Sequence, residues 1–180
     1  VVDIDVLRRY DLNIVKHWQK ITEKRNEIEG HVLNLKYFQY LSLLFTELYL
    51  DQYFHHQADM LNELNVELEQ YNHDQKSDAE QFQQYLPEDL NKIGYWNATG
   101  SGKTLLMHVN ILQYLDYFQN QNGDSTYPDQ IILLTPNEGL SEQHLQELTD
   151  SGFQATLFDK QKSRNSLYRD EIQIIDMNKL

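Results

Sequence analysis

Apolar residues recur at steps of three and four along the first half of the chain. Phe38, Leu41, Leu44, Phe45 and Leu48 form the strongest such stripe and predict a helix over residues 35–56. After an apolar start (Val1, Val2, Ile4, Val6, Leu7), Ile14, Trp18, Ile21 and Ile28 predict a helix from Asn13 to Glu29, with Gly30 as its C-cap. Leu61, Leu64 and Leu68 mark a third helix, beginning at residue 57. The pattern then lapses. Asn72 to Gln84 is polar, with Phe82 its only large apolar residue, and suits a surface loop or a solvated helical insertion. Leu86-Pro87-Glu88-Asp89-Leu90 suits a short helical turn, because proline is accommodated at a first helical position.

Beyond residue 91 short apolar runs alternate with helical periods. Lys92 to Trp96 predicts a strand, and Leu105 to about Gln119 a helix with Leu106, Val109, Leu112 and Leu115 buried. Gln119 to Ser125 is turn-rich. Ile131-Ile132-Leu133-Leu134 is a continuous apolar run, as expected of a parallel strand covered on both faces. Leu140 to Leu148 predicts a helix with Ser141 near its start and Gly152 past its end, and Phe153–Phe158 and Glu171–Ile175 predict two more strands. Strand and helix alternating in this way give an α/β fold with a parallel sheet and helices on its faces. The chain divides into a helical region, 1–90, and a sheet-forming region, 91–180.

The candidate chemistry sits at the first strand-to-helix junction of that second region. Asn97-Ala98-Thr99-Gly100-Ser101-Gly102-Lys103-Thr104 is a glycine-rich turn between a predicted strand and a predicted helix. Glycines let a backbone curl with its N–H groups inward, and a helix N-terminus adds partial positive charge at the same place. Backbone contacts from Ala98, Thr99, Gly100, Ser101 and Gly102, the Lys103 ammonium and the Thr104 hydroxyl would then hold phosphates, with Thr104 on Mg²⁺. A chance glycine turn is the alternative, and the flanking elements weigh against it. The general pattern has glycine where Asn97 stands, but the assigned contacts begin at Ala98. Tyr37-Phe38-Gln39-Tyr40 has two readings: packing, or a glutamine amide that both accepts from and donates to the adenine edge beside a stacking ring. His55 and His56 are adjacent and point to different sides of a helix, so solvated or packing roles suit them better than metal ligation.

Composition narrows the picture. The 180 residues contain no cysteine, which excludes disulfides and thiolate metal sites, and they are 40% apolar, enough for one sizeable core. No apolar run approaches a membrane span and no signal-like start is present, so a soluble cytoplasmic protein is expected. The net charge is −13, but it is unevenly placed. Residues 37–91 hold eleven acidic side chains against Lys76 alone, which argues against that stretch touching phosphates and says little about the rest.

Ala98 to Thr104 resembles motif I of the superfamily 2 helicases, and Thr135-Pro136-Asn137, at the end of the next predicted strand, resembles their motif Ia. The resemblance is closest to the ATP-dependent translocase (Res) subunit of type III restriction enzymes, over Asp89–Leu115 and Ile131–His144. It implies a RecA-like sheet, ATP and Mg²⁺ as cofactors, hydrolysis coupled to movement on DNA, and a methylase or specificity subunit as possible partner. Thr135, Pro136 and Asn137 would hold the backbone of one DNA strand, and Gln39 would read adenine. The family's second motif, a strand ending Asp-Glu-x-His, does not occur. Asp176 ends an apolar run without the following glutamate, and is either a Mg²⁺ ligand or an ordinary strand-end carboxylate. The second-lobe arginine motif is also missing. The expectation is therefore an N-terminal piece of a longer protein, its sheet incomplete at the C-terminal end, that binds ATP without turning it over. Other classes remain open: a stand-alone ATP-sensing module, or a P-loop kinase or transferase, for which Thr135-Pro136 at a strand end would have no use.

Overall fold

The structure is a computed structural model that describes residues 3–75, 81–123, 126–159 and 171–179. Helix α1 spans Ile4–Glu29, nine residues earlier than its periodicity predicts, because the Asp3 carboxylate caps it by accepting the Asp5 N–H at 2.8 Å. Gly30, in the left-handed conformation, ends it as expected. Helix α2 spans Tyr37–His55, α3 Gln57–His73, α4 Lys103–Asn122 and α5 Glu138–Asp150. A 3₁₀ turn occupies Pro87–Asn91 and another Met177–Lys179. Part of the polar 72–84 stretch, residues 76–80, lies outside the described residues. Where the chain returns, two α3 asparagines clamp it through their amides, Asn72 to the Phe82 backbone and Asn65 to the Tyr85 backbone.

Strands β1 (Ile131–Thr135), β2 (Ala155–Leu157) and β3 (Ile172–Asp176) form a parallel sheet in the order β1-β3-β2. Parallel neighbours need crossovers, and α5 provides the one between β1 and β2. Leu148 of α5 packs on Ile172 and Ile174, with Leu133 and Leu157 beside them. The opposite face of β1 is not covered. Ile132 and Leu134 are 48% and 54% exposed, so the expected burial on both faces is corrected. Lys92–Trp96 is corrected too: among the described residues no strand of the sheet pairs with it, and Trp96 is fully exposed. A strand is defined by pairing, and β3 is the neighbour that β1 takes.

The main core joins α1, α2 and α4 through Ile14, Trp18, Ile21, Leu43, Leu106 and Val109. The division expected at 90/91 thus falls between segments that share one core. The buried face of α2 is rotated from the predicted stripe: Phe38 and Phe45 are exposed, whereas Gln39, Leu43, Thr46, Glu47, Leu50 and Asp51 are buried. Burial of the polar members is matched by partners. Glu47, 1% exposed, accepts from Asn13 at 2.8 Å, Gln113 at 2.7 Å and Tyr117 at 2.9 Å. Asp51 accepts from Tyr10 at 2.6 Å and Arg9 at 3.1 Å. No helix among the described residues is long and apolar enough to cross a membrane.

The buried and exposed faces of α2 should respond differently to truncation. Leu43→Ala should cost about 2–5 kcal/mol in urea unfolding, the range for a buried leucine, while Phe45→Ala should stay within about 0.5 kcal/mol. Comparable losses at both sites would mean the buried face of α2 is misassigned. Stability should also depend on pH through Glu47. Burial raises the Glu47 carboxyl above its ordinary 4.5, against the opposing pull of its hydrogen bonds from Gln113, Tyr117 and Asn13. The folded state then holds this proton more tightly than the unfolded chain. Its contribution to stability is greatest below the unfolded value and falls as pH rises through the folded one. Glu47→Gln should remove that decline, seen as unfolding midpoints that diverge from wild type with rising pH; parallel curves would contradict it.

Candidate nucleotide site

The glycine-rich turn lies where α4 begins. Segment 92–97 reaches it along α2, held by Tyr95, whose hydroxyl lies 3.0 Å from that of Thr46, and by Tyr49, which donates to the Leu90 carbonyl. The chain then reverses through a turn in which Ser101 N–H donates to Ala98 O at 3.2 Å. Gly100 and Gly102 have φ of +76° and +81°, a region that costs an L-residue about 1–2 kcal/mol. Gly102 is the N-cap of α4, and no side chain caps the helix. The first-turn N–H groups of this 20-residue helix therefore have no side-chain acceptor, which is the electrostatic setting for an anion.

The Lys103 ammonium folds over the turn and donates to Ala98 O at 3.0 Å and Asn97 O at 3.3 Å. Ser101 is 9% exposed and its hydroxyl is buried without a protein partner. Thr104 is half-buried. Lys103, Thr104 and Asn97 line a cavity of about 860 Å³ whose other walls include Ile111, Ile132 and His144. Among the described residues no carboxylate lines it. Ala98, Thr99 and Gly100 are exposed on the turn.

Gln39, 62 residues before Ser101, meets the turn directly: its Nε2 donates to Ser101 O at 2.9 Å and its Oε1 accepts the Lys36 N–H at 3.0 Å. Both ends of the amide are thus engaged by the protein. Thr46, Tyr49 and Tyr95, which locate the entering segment, carried no signal in the sequence beyond helix and strand periodicity.

The other candidates lie at the ends of β1 and β3, which are paired at Thr135 and Asp176. Thr135 is 1% exposed, with its hydroxyl 2.6 Å from that of Ser141 and donating to Ile175 O at 3.3 Å. Its side chain is therefore turned into the protein. Pro136 and Asn137 are exposed, and the Asn137 side chain caps α5 by accepting the Leu140 N–H at 3.0 Å. That cap starts α5 at Glu138, ahead of the expected Leu140, and leaves Ser141 as the partner of Thr135. Asp176 accepts from the Asn178 N–H at 2.9 Å and its Nδ2 at 3.1 Å, while the same Nδ2 donates to Pro136 O at 2.9 Å. Asp176 is not among the residues that line the cavity beside Lys103. His55 pairs with Asp51 at 3.0 Å, and no group of three metal-ligating side chains occurs among the described residues.

Residues 52–179 match the family described as type III restriction enzyme, res subunit. The chain belongs to this family. No curated protein and no solved structure matches it. The matched span contains the glycine-rich turn, Thr135–Asn137 and Asp176, but not Gln39. Family membership makes the chain a helicase-like relative of ATP-dependent restriction subunits, with a P-loop type of fold.

The turn's geometry predicts unequal costs at its two glycines. A Cβ on Gly102 would lie 2.7 Å from Gln39 Nε2, whereas one on Gly100 meets nothing within 4 Å. Gly100→Ala should cost only the backbone term of about 1–2 kcal/mol. Gly102→Ala should cost more, because Gln39 must also leave its place. Urea unfolding giving equal losses would show that Gln39 yields freely.

Proposed function

We propose that this chain binds Mg·ATP at Ala98–Thr104, as part of the motor of a DNA translocase of the restriction type. The observation that carries the reading is the uncapped N-terminus of α4, with the partnerless Ser101 hydroxyl beside it. The first-turn amides and Lys103 would take the phosphates, with the ammonium exchanging the Asn97 and Ala98 carbonyls for phosphate oxygens. Thr104 would hold Mg²⁺, which when bound offsets charge on the phosphates. The parallel sheet, with the glycine-rich turn outside it, is read as part of a RecA-like domain. DNA would meet the exposed Pro136–Asn137 turn through its backbone, since the Thr135 hydroxyl is committed inside.

Binding and turnover separate in these 180 residues. Hydrolysis needs a carboxylate near the metal or attacking water and positive charge opposite the γ-phosphate. Among the described residues no carboxylate lines the cavity at Lys103, and Asp176 accepts from Asn178. Binding that is equal in ground and transition states accelerates nothing.

Calorimetry tests the reading. Lys103→Ala should abolish Mg·ATP binding and leave the circular dichroism spectrum unchanged; equal affinity in the variant would sink it. Phosphate release from the wild-type chain should stay near background, and multiple turnovers lost in Lys103→Ala would show a complete ATPase instead.

A further inference from the structure

The cavity beside Lys103 extends far past the reach of a phosphate group. Its lining follows α4 from Lys103 to Leu115, twelve residues apart and so about 18 Å along the helix axis. Met107, Ile111 and Leu115 form one wall, and Pro128, Ile131 and Ile132 stand across from them. At about 860 Å³ it falls within the span of small-molecule sites, about 300–1,000 Å³. Most polar groups along this slot are already engaged by the protein. The Asn110 Oδ1 accepts from the Thr46 hydroxyl at 3.3 Å, which also lies 3.0 Å from the Tyr95 hydroxyl, and the Gln130 Nε2 donates to Gln173 at 2.6 Å. His144 is the exception, its Nδ1 buried without a protein partner. Lys103 is the one lysine or arginine among the described residues that line the slot, and it stands at one end. Its ammonium has only backbone carbonyls for acceptors, and the uncapped start of α4 lies at the same end.

We propose that this slot binds a fatty carboxylate, with its head at Lys103 and its chain along α4 toward Leu115. One negative charge matches one ammonium, and an unbranched apolar chain asks for no hydrogen bond from the walls. The proposal goes beyond the nucleotide reading and stands on the slot and Lys103 alone. Where both hold, head and phosphates take the same place, so the amphiphile would act as a competitive inhibitor of nucleotide binding.

The test titrates octanoate, decanoate, dodecanoate and uncharged dodecanol into wild-type chain by calorimetry, below their micelle-forming concentrations. Affinity should rise roughly fourfold per added methylene, the increment for burying one such group. Dodecanol on wild type, and dodecanoate on Lys103→Ala, should each bind roughly tenfold or more weakly than dodecanoate on wild type. Ile132→Glu, at a half-exposed position, should weaken dodecanoate with an unchanged circular dichroism spectrum. If that variant fails to fold, Leu115→Trp serves: by filling the far end it should weaken dodecanoate more than octanoate. Affinity independent of chain length, or dodecanol binding as tightly as dodecanoate, would overturn the proposal. So would full affinity in the Ile132 or Leu115 variant, which would place the chain elsewhere. Mg·ATP should displace dodecanoate; both bound at once would overturn the placing of the head. Wild-type chain that binds dodecanoate but no Mg·ATP would overturn the nucleotide reading and leave this one standing.

Discussion

The seating of α4 governs the rest of the molecule. Its buried side chains Leu106, Val109 and Leu112 complete the core with α1 and α2, while Ile111 reaches the apolar cluster under the sheet. Each fully buried aliphatic side chain contributes roughly 1.5–3 kcal/mol, so this one helix anchors to both layers. The glycine-rich turn is the first thing before it. Once α4 is seated, its N-terminus and the Lys103 and Thr104 side chains have their direction. The turn itself is rich in glycine and cannot pack, so it is held from outside: by Gln39 at Ser101, and by Tyr95 on Thr46 at its entrance.

The sheet joins the helices through α5. Phe153 packs against both clusters and lies edge-on to His108, their rings 5.6 Å apart. His108 is fully buried, and burial lowers its pKa to about 4, so it is neutral at physiological pH. Its Nδ1 lies 2.8 Å from the Ser151 hydroxyl at the end of α5. Exposed ion pairs such as Lys24–Asp150 lie on the same seam. Pairs of that kind are worth little, so the aromatic contact and the buried hydrogen bond hold the layers together. His144 of α5 lines the cavity beside Lys103, which makes that seam part of the site's wall.

The interior of the helical layer explains why periodicity misjudged α2. Its exposed side carries aromatics, and its buried side carries Gln39, Thr46, Glu47 and Asp51. A stripe read from hydrophobicity alone follows the aromatics. Glu47 is tolerated inside because Gln113, 66 residues away, and Asn13, 34 residues away, bring donors to it. Those donors sit on other helices, and no window along α2 contains them.

The sequence by itself determined the elements and the loop. Local hydrogen bonding and capping are encoded within a few residues, so α2 to α5 and the strands β1, β2 and β3 were legible within a few positions, as was the glycine-rich turn with Lys103 and Thr104, while α1 was legible except for its first nine residues. What tertiary structure decided depends on partners distant in the chain. Lys92–Trp96 has strand-like residues but no paired neighbour among the described residues, and β1 has a strand's sequence but one exposed face. Thr135 resembles a surface motif, yet Ser141 and Ile175 hold its hydroxyl inside. Gln39 carried two readings in the sequence, and its contact with Ser101 exists because α4's packing brings the turn against the start of α2. Pairing and burial are relations between segments, and periodicity along one segment cannot report them.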